Sequence, residues 1–229
     1  MGTTFDPQAE AEFDAYAGEY GDLLAGSVKA SGEGPEYFAE YKLRVLERLV
    51  SAPRGPILDY GCGVGNLTRL LGKAFPVVHG FDPSQKSAAL AQKRAPDAKF
   101  FHDPVALPQE HYGTIVLANV LHHVPPAERA SLLASIVPLL VRGGRLVVFE
   151  NNPLNPLTRK AMRDCIFDEN AVWLYPREVR RRLAEAGLTR RKLDYIVFFP
   201  RFLSMLRPLE RRLSRVAIGA QMVAWGHRA

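Results

Sequence analysis

The run Ile57-Leu58-Asp59-Tyr60-Gly61-Cys62-Gly63-Val64-Gly65-Asn66 constrains this chain more than any other stretch, because an apolar strand ends in a turn with glycine at every second position. Glycine has no Cβ, so Gly61, Gly63 and Gly65 can take positive φ and let a nucleotide lie against main-chain atoms. Leu67 to Phe75 reads as the helix that follows, and Cys62 as a small filler of the turn with no basic neighbour to make it a nucleophile. Dinucleotide-binding folds favour Gly-x-Gly-x-x-Gly. Here the third glycine comes one residue sooner and Asp59 precedes the first, which points away from NAD.

Asp59-x-Gly61-x-Gly63-x-Gly65 resembles the first motif of the class I S-adenosylmethionine-dependent methyltransferases. That resemblance implies S-adenosylmethionine as cofactor, S-adenosylhomocysteine as its product, and cofactor contacts at Asp59, Gly61, Cys62, Gly63 and Gly65. Val77 to Ser84 reads as a second strand ending in Asp82-Pro83, seventeen residues beyond Gly65. A carboxylate there can accept from both hydroxyls of a ribose, the role that the resemblance implies for Asp82. Ala98 to Pro104 is a third short strand, and the resemblance implies that Asp103, followed by Pro104, accepts from the adenine amino group. Tyr112 to Val124 resembles the fourth-strand motif, with Asn119 near the cofactor and a Leu121-His122-His123-Val124 ending found in small-molecule members of the family.

Strand and helix signals alternate outside these motifs. Phe5 to Ala25 and Glu36 to Val50 read as helices separated by the loop Ser31-Gly32-Glu33-Gly34-Pro35. The family resemblance makes residues 1–50 an N-terminal helical cap over the cofactor, with Tyr20 and Lys42 as further contacts; a lysine on the solvent side of its helix is the alternative for Lys42. Pro125 and Pro126 open a helix running through Leu140 and closed by Arg142-Gly143-Gly144, and Arg145 to Glu150 is a fifth strand. Pro176 to Ala186 is another helix, Lys192 to Phe199 a sixth strand and Gly219 to Trp225 a seventh. The alternation reads as α/β, and the family resemblance implies a Rossmann-like, doubly wound, seven-stranded, mostly parallel sheet whose last strand is reversed. Residues 51–229 form the cofactor-binding domain, and the whole chain is one folding unit.

Two insertions should lie over or beside the pocket, one from Asn151 to Trp173 and one from Arg201 to Val216. In the second, Phe202, Leu206, Leu209, Leu213 and Val216 recur at helical spacing with arginines on the other face, and Pro208 begins a new helix. Docking as a lid on its own domain is the preferred reading, with peripheral membrane contact as the alternative.

Charge is uneven. Residues 1–56 carry 5 basic and 10 acidic groups, whereas residues 151–229 carry 16 and 7. The arginine clusters suit a solvated helix face, and no aromatic residues are interleaved to stack bases, so nucleic acid is disfavoured as a partner. No apolar run approaches the roughly 20 residues of a membrane span. The acidic Met1–Asp22 stretch is unlike a signal peptide, and only Cys62 and Cys165 are present, so a cytoplasmic protein is expected.

The chemistry that the resemblance implies is an in-line displacement, in which the protein holds the acceptor and removes its proton. His123 is the first candidate base, His122 the second and Glu150 the third; a structural hydrogen-bonding role for His123 is the alternative. The absence of an Asn/Asp-Pro-Pro-aromatic sequence after strand four argues against base methylation, and Asn119 in place of a liganding aspartate argues against a metal. The expected function is methyl transfer to a small organic acceptor, at oxygen ahead of nitrogen or carbon. The rivals are a lipid-linked acceptor at a membrane surface, a non-catalytic cofactor-binding protein, an RNA modifier and an NAD-dependent dehydrogenase.

Overall fold

A computed structural model describes residues 26, 28, 31–165 and 170–229. The predicted N-terminal helix, with Tyr20, lies outside the described residues. Seven strands form one sheet in the order β3-β2-β1-β4-β5-β7-β6: β1 (Ile57–Tyr60), β2 (Val78–Phe81), β3 (Lys99–Phe101), β4 (Tyr112–Ala118), β5 (Leu140–Asn151), β6 (Thr189–Ile196) and β7 (Gln221–His227). Strands β1 to β5 pair in parallel, and β7 runs antiparallel to both β5 and β6. The sheet therefore has the expected topology with its reversed last strand. The chain winds outward from β1 to β3, then returns to the other side of β1 with β4, which opens a crevice at the carboxyl ends of these two strands.

Alternation along the strands explains why both faces are covered. Leu58, Ile115, Leu117, Leu146 and Val148 share one apolar cluster with helices α4 (Arg129–Ile136) and α6 (Pro176–Glu185). Their neighbours Ile57, Val116, Val147 and Phe149 point into a second cluster with α1 (Pro35–Leu49) and α2 (Asn66–Ala74). Successive strand side chains face opposite ways, so strands apolar at every position need helices on both sides. Helix α3 (Gln85–Arg94) follows β2 and is capped by the Ser84 hydroxyl, which accepts from the Ser87 N–H. Helix α5 (Pro156–Arg163) begins the same way: the Asn155 side chain accepts from the N–H groups of Leu157 and Thr158, and Pro156 occupies the first turn.

Several boundaries differ from the sequence expectation. The helix expected to run through Leu140 stops at Ile136, because Pro138 has no N–H to continue it, and a 3₁₀ turn over Val137–Leu139 leads directly into β5. Gly143 and Gly144 lie inside β5 instead of ending a helix; Gly143 takes φ +71°, and the β4–β5 register shifts between Tyr112 and Thr114. Strand β4 ends at Ala118, so Leu121–His123 form a 3₁₀ turn and not the tail of the strand. The Arg201–Leu209 segment is also 3₁₀, with a break at Leu203 and Pro208 inside it, and only Glu210–Leu213 (α7) is α-helical. At three residues per turn the apolar stripe spreads around the segment. Arg207 and Glu210 tie the segment to α1, while Phe202, Leu206, Leu209 and Val216 are exposed.

Candidate functional site

The glycine turn folds as its composition demands. Gly61, Gly63 and Gly65 have φ of +76°, +52° and +81°. A Cβ on Gly61 would lie 2.6 Å from Val120, and one on Gly65 would lie 2.9 Å from Ala91, so these two glycines let the turn close on β4 and let α2 approach α3. Gly63 is different, because a Cβ there would meet nothing within 4 Å. Its glycine leaves bare backbone facing open space.

The acids of this half are held from below. Asp82 is buried just beyond β2, its Oδ2 accepting from the Gly63 N–H at 2.7 Å and its Oδ1 from the Ser84 N–H at 3.1 Å. Pro83 is half-buried beside it. Asp59 is buried in β1 and accepts from the Thr68 hydroxyl at 2.7 Å. Burial pushes the Asp59 carboxyl up to about 6 against the opposing hydrogen bond from Thr68, with the Asp82 charge adding to the rise. The same burial and the same two acids push the Cys62 thiol well above its ordinary value, which supports the turn-filler reading. Asp103 lies past the end of β3, exposed, where its Oδ1 caps the Pro104–Ala106 turn by accepting from the Val105 N–H.

Lys42 belongs to the site interior and not to the solvent side of its helix. It is buried in α1, and desolvation lowers its amine to about 8 although the charges of Glu150 and Asp59 favour the ammonium form. The helix thus brings one cation between the acid of β1 and the acid at the end of β5.

Across the crevice, Asn119 takes φ +60° immediately after β4. Its N–H donates to the Phe149 carbonyl, while its buried Oδ1 has no hydrogen-bond partner. A left-handed non-glycine residue and an orphaned buried acceptor thus coincide at the end of β4. Beyond it, Glu150 Oε1 accepts from the Leu121 N–H at 2.8 Å, and Oε2 lies 2.5 Å from His122 Nδ1. Both side chains are buried, with His122 only 2 % exposed. The His123 ring lies 4.1 Å from the His122 ring, tilted by 45°, and is itself half-buried. Burial, reinforced by the positive charge that His122 can carry, holds the His123 imidazole well below its ordinary pKa. The 3₁₀ turn therefore brings both histidines to one place, which an extended strand would have prevented.

Three residues that the sequence reading passed over complete the arrangement. Thr68 and Ser84 hold Asp59 and Asp82. Arg129 is fully buried: its Nε donates to the carbonyls of Leu121 and Val124, Nη2 to the carbonyl of Val172, and Nη1 to Glu178 at 3.0 Å. One guanidinium thus clamps the histidine turn to the end of the first insertion, and the Val172 N–H donates back to the His122 carbonyl. The signal for Arg129 was its place on the same helical face as Leu132, Leu133 and Ile136, where a charge needs buried partners. Among the described residues, no group of three or more His, Cys, Asp or Glu side chains is placed to hold a metal ion.

This fold, with a glycine turn facing an acid at the switch point, defines a nucleotide-cradling α/β enzyme domain. Its shape is similar to that of solved S-adenosylmethionine-dependent methyltransferases. One, from Thermotoga maritima and described as a possible histamine N-methyltransferase, aligns with a TM-score of 0.70 at 19 % identity over 96 % of this chain and 100 % of that one. Another, the magnesium protoporphyrin IX methyltransferase of Synechocystis, aligns at 0.61 and 19 % identity over the whole of both chains. An uncharacterised methyltransferase of Bacillus cytotoxicus is 31 % identical over 150 residues, 64 % of this chain and 67 % of its own. The family model for the methyltransferase domain matches residues 33–193. The chain belongs to this methyltransferase family.

Proposed function

We propose that this methyltransferase uses S-adenosylmethionine to methylate a small organic acceptor at oxygen, with the His122–His123–Glu150 group handling the acceptor's proton. The observation that carries the cofactor reading is the cradle of bare Gly63 backbone facing a buried, doubly hydrogen-bonded Asp82, with the unpartnered Asn119 Oδ1 across the crevice. These residues fit a ligand with a ribose, an adenine and a charged tail. Asp82 would accept from the ribose hydroxyls. Lys42 would stand toward the carboxylate end of the cofactor, and Asp103 toward the adenine. The bound cofactor supplies an activated methyl group on a sulfonium.

The protein's own work is then orientation and proton removal. His123 is neutral at physiological pH, since its folded pKa lies below the ordinary histidine value, so its ring can accept a proton. The His122–Glu150 pair, fixed by the Leu121 N–H and packed against that ring, orients it. A proton-accepting group at the acceptor side favours a hydroxyl over an amine already neutral when bound. The structural neighbours include a magnesium protoporphyrin IX methyltransferase and a possible histamine N-methyltransferase, which supports a small-molecule acceptor.

The reading is tested by thermal shift with S-adenosylmethionine, S-adenosylhomocysteine and NAD, on wild type and Asp82→Ala, followed by an acceptor screen. Stabilisation by the first two ligands that disappears in the variant supports it. Stabilisation by NAD alone overturns the cofactor assignment made on these residues.

A further inference from the structure

The two insertions meet on one side of the molecule. Strand β6 runs parallel to β5, because both are antiparallel to β7, and Asn151, Gln221 and Ile196 stand side by side in register. Both insertions therefore leave the sheet at the carboxyl edge, where Glu150 also sits. They are tied together there: the Asn152 amide donates to the carbonyls of Ala217 and Gly219, and Asn155 to that of Ile218.

The outward surface of this joined structure is apolar in a way that monomeric surfaces avoid. Phe202 is 81 % exposed and Met205 93 %, and Ile218 and, in α5, Leu157 are 62 % and 65 % exposed. Scattered exposed leucines need no explanation, but four large side chains left in water on two mutually bonded segments do. Around Phe202 and Met205 the charge is mostly of one sign. The segment from Arg201 to Ile218 contains five arginines and a single acid, Glu210. That acid is turned inward, its carboxylate accepting from the N–H groups of Phe198 and Phe199 and from the Tyr41 hydroxyl. Arg207 is likewise spent on Glu33 and the Tyr37 ring, so it anchors the segment to α1. What remains outward is Arg201, Arg211 and Arg212, all exposed, together with Arg215, whose guanidinium lies 3.4 Å from Asp194.

We infer that this face is a docking surface for an anionic lipid bilayer, with Phe202, Met205 and their apolar neighbours entering the headgroup region and the arginines meeting lipid phosphates. Guanidinium groups flanking exposed phenylalanine, methionine and isoleucine match an interface that is anionic outside and apolar within. The inward anchoring of Glu210 and Arg207 holds the segment in place while its apolar side chains stay outside, as insertion requires. The placement at the carboxyl edge means that docking brings the histidine turn's end of the sheet toward the lipid. This inference does not rest on the methyl-transfer chemistry proposed above, since its readout is partition alone.

The test is co-sedimentation of the full chain with vesicles of phosphatidylcholine alone and of phosphatidylcholine with phosphatidylglycerol, at low and high salt. The expected result is partition onto the anionic vesicles only, weakening as salt rises. Phe202→Ser with Met205→Ser should lower partition about a hundredfold, and Arg211→Ser with Arg212→Ser about thirtyfold, with the thermal transition of both variants unchanged because all four side chains are exposed. No partition onto anionic vesicles, or equal partition onto neutral ones, overturns the inference. So does undiminished binding by the apolar double variant, which would make the attraction charge alone. Light scattering that shows a lipid-free dimer, dissociated by the apolar double variant, would assign the face to a second copy of this chain instead.

Discussion

The half of the sheet around β1 and β2 and the half around β5 to β7 solve different problems. On the first side, the glycine turn, Asp59 and Asp82 are held by contacts close in sequence: Gly63 and Ser84 to Asp82, Thr68 to Asp59. On the second side, the histidine turn is held by Glu150, Arg129 and Val172, from separate elements of the chain. A cradle for a constant ligand can be written into one strand-turn-helix unit. The proposed acceptor side is assembled from separate elements, and buried charge keeps it in shape.

That contrast can be broken by experiment. Arg129→Ala should have the largest effect, a loss of about 3 to 5 kcal/mol in unfolding free energy by urea titration, because it leaves Glu178 and three carbonyls without their donor. Cofactor affinity of the molecules that remain folded should change little, since the cradle is built elsewhere. Asp82→Ala should do the reverse, costing about a hundredfold in S-adenosylmethionine affinity by calorimetry, near 3 kcal/mol, with a small effect on the unliganded protein.

Asp59→Asn sharpens the comparison on the cofactor side. A carboxyl whose folded pKa is raised to about 6 contributes stability below its unfolded pKa, and that contribution is lost as pH rises through about 4 to 6. The asparagine variant should therefore be more stable than wild type above pH 6, by about 3 kcal/mol, and close to it near pH 4. The smallest effect on stability is expected at His123. Its folded pKa is lowered, so stability is fully present above the unfolded value and declines as pH falls below roughly 6.5. His123→Ala should flatten that decline in melting temperature, while methyl transfer to a hydroxyl acceptor should fall by roughly a hundredfold or more.

Legibility in the sequence followed the same division. The seven-stranded sheet and the reversal of β7 agree with the expectation drawn from the family resemblance, and the positions of the glycine turn and of Asp82 at the end of β2 with the reading of the residues themselves. Boundaries failed where proline and glycine have two meanings. Arg142-Gly143-Gly144 reads as a helix end but forms a bulge in a long strand, because Pro138 had already stopped the helix. The Arg201–Val216 stripe reads as one helical face but is 3₁₀ over Arg201–Leu209 and α-helical only over Glu210–Leu213, and no local rule distinguishes 3.6 from 3.0 residues per turn over so short a run. Lys42 could be placed on either side of its helix by pattern alone, and only the packing of α1 against β1 and α2 makes it a buried cation.

The sequence by itself determined the α/β class, the cradle and the acid opposite it, because those depend on backbone conformations that only glycine reaches readily and on spacing within one strand-turn-helix unit. The tertiary structure alone decided that His122, His123 and Glu150 form one group, that Arg129 holds them, and that Phe202 and Met205 are left facing outward. Those outcomes depend on contacts between residues far apart in the chain, where desolvation and burial decide the energy and no local pattern records them.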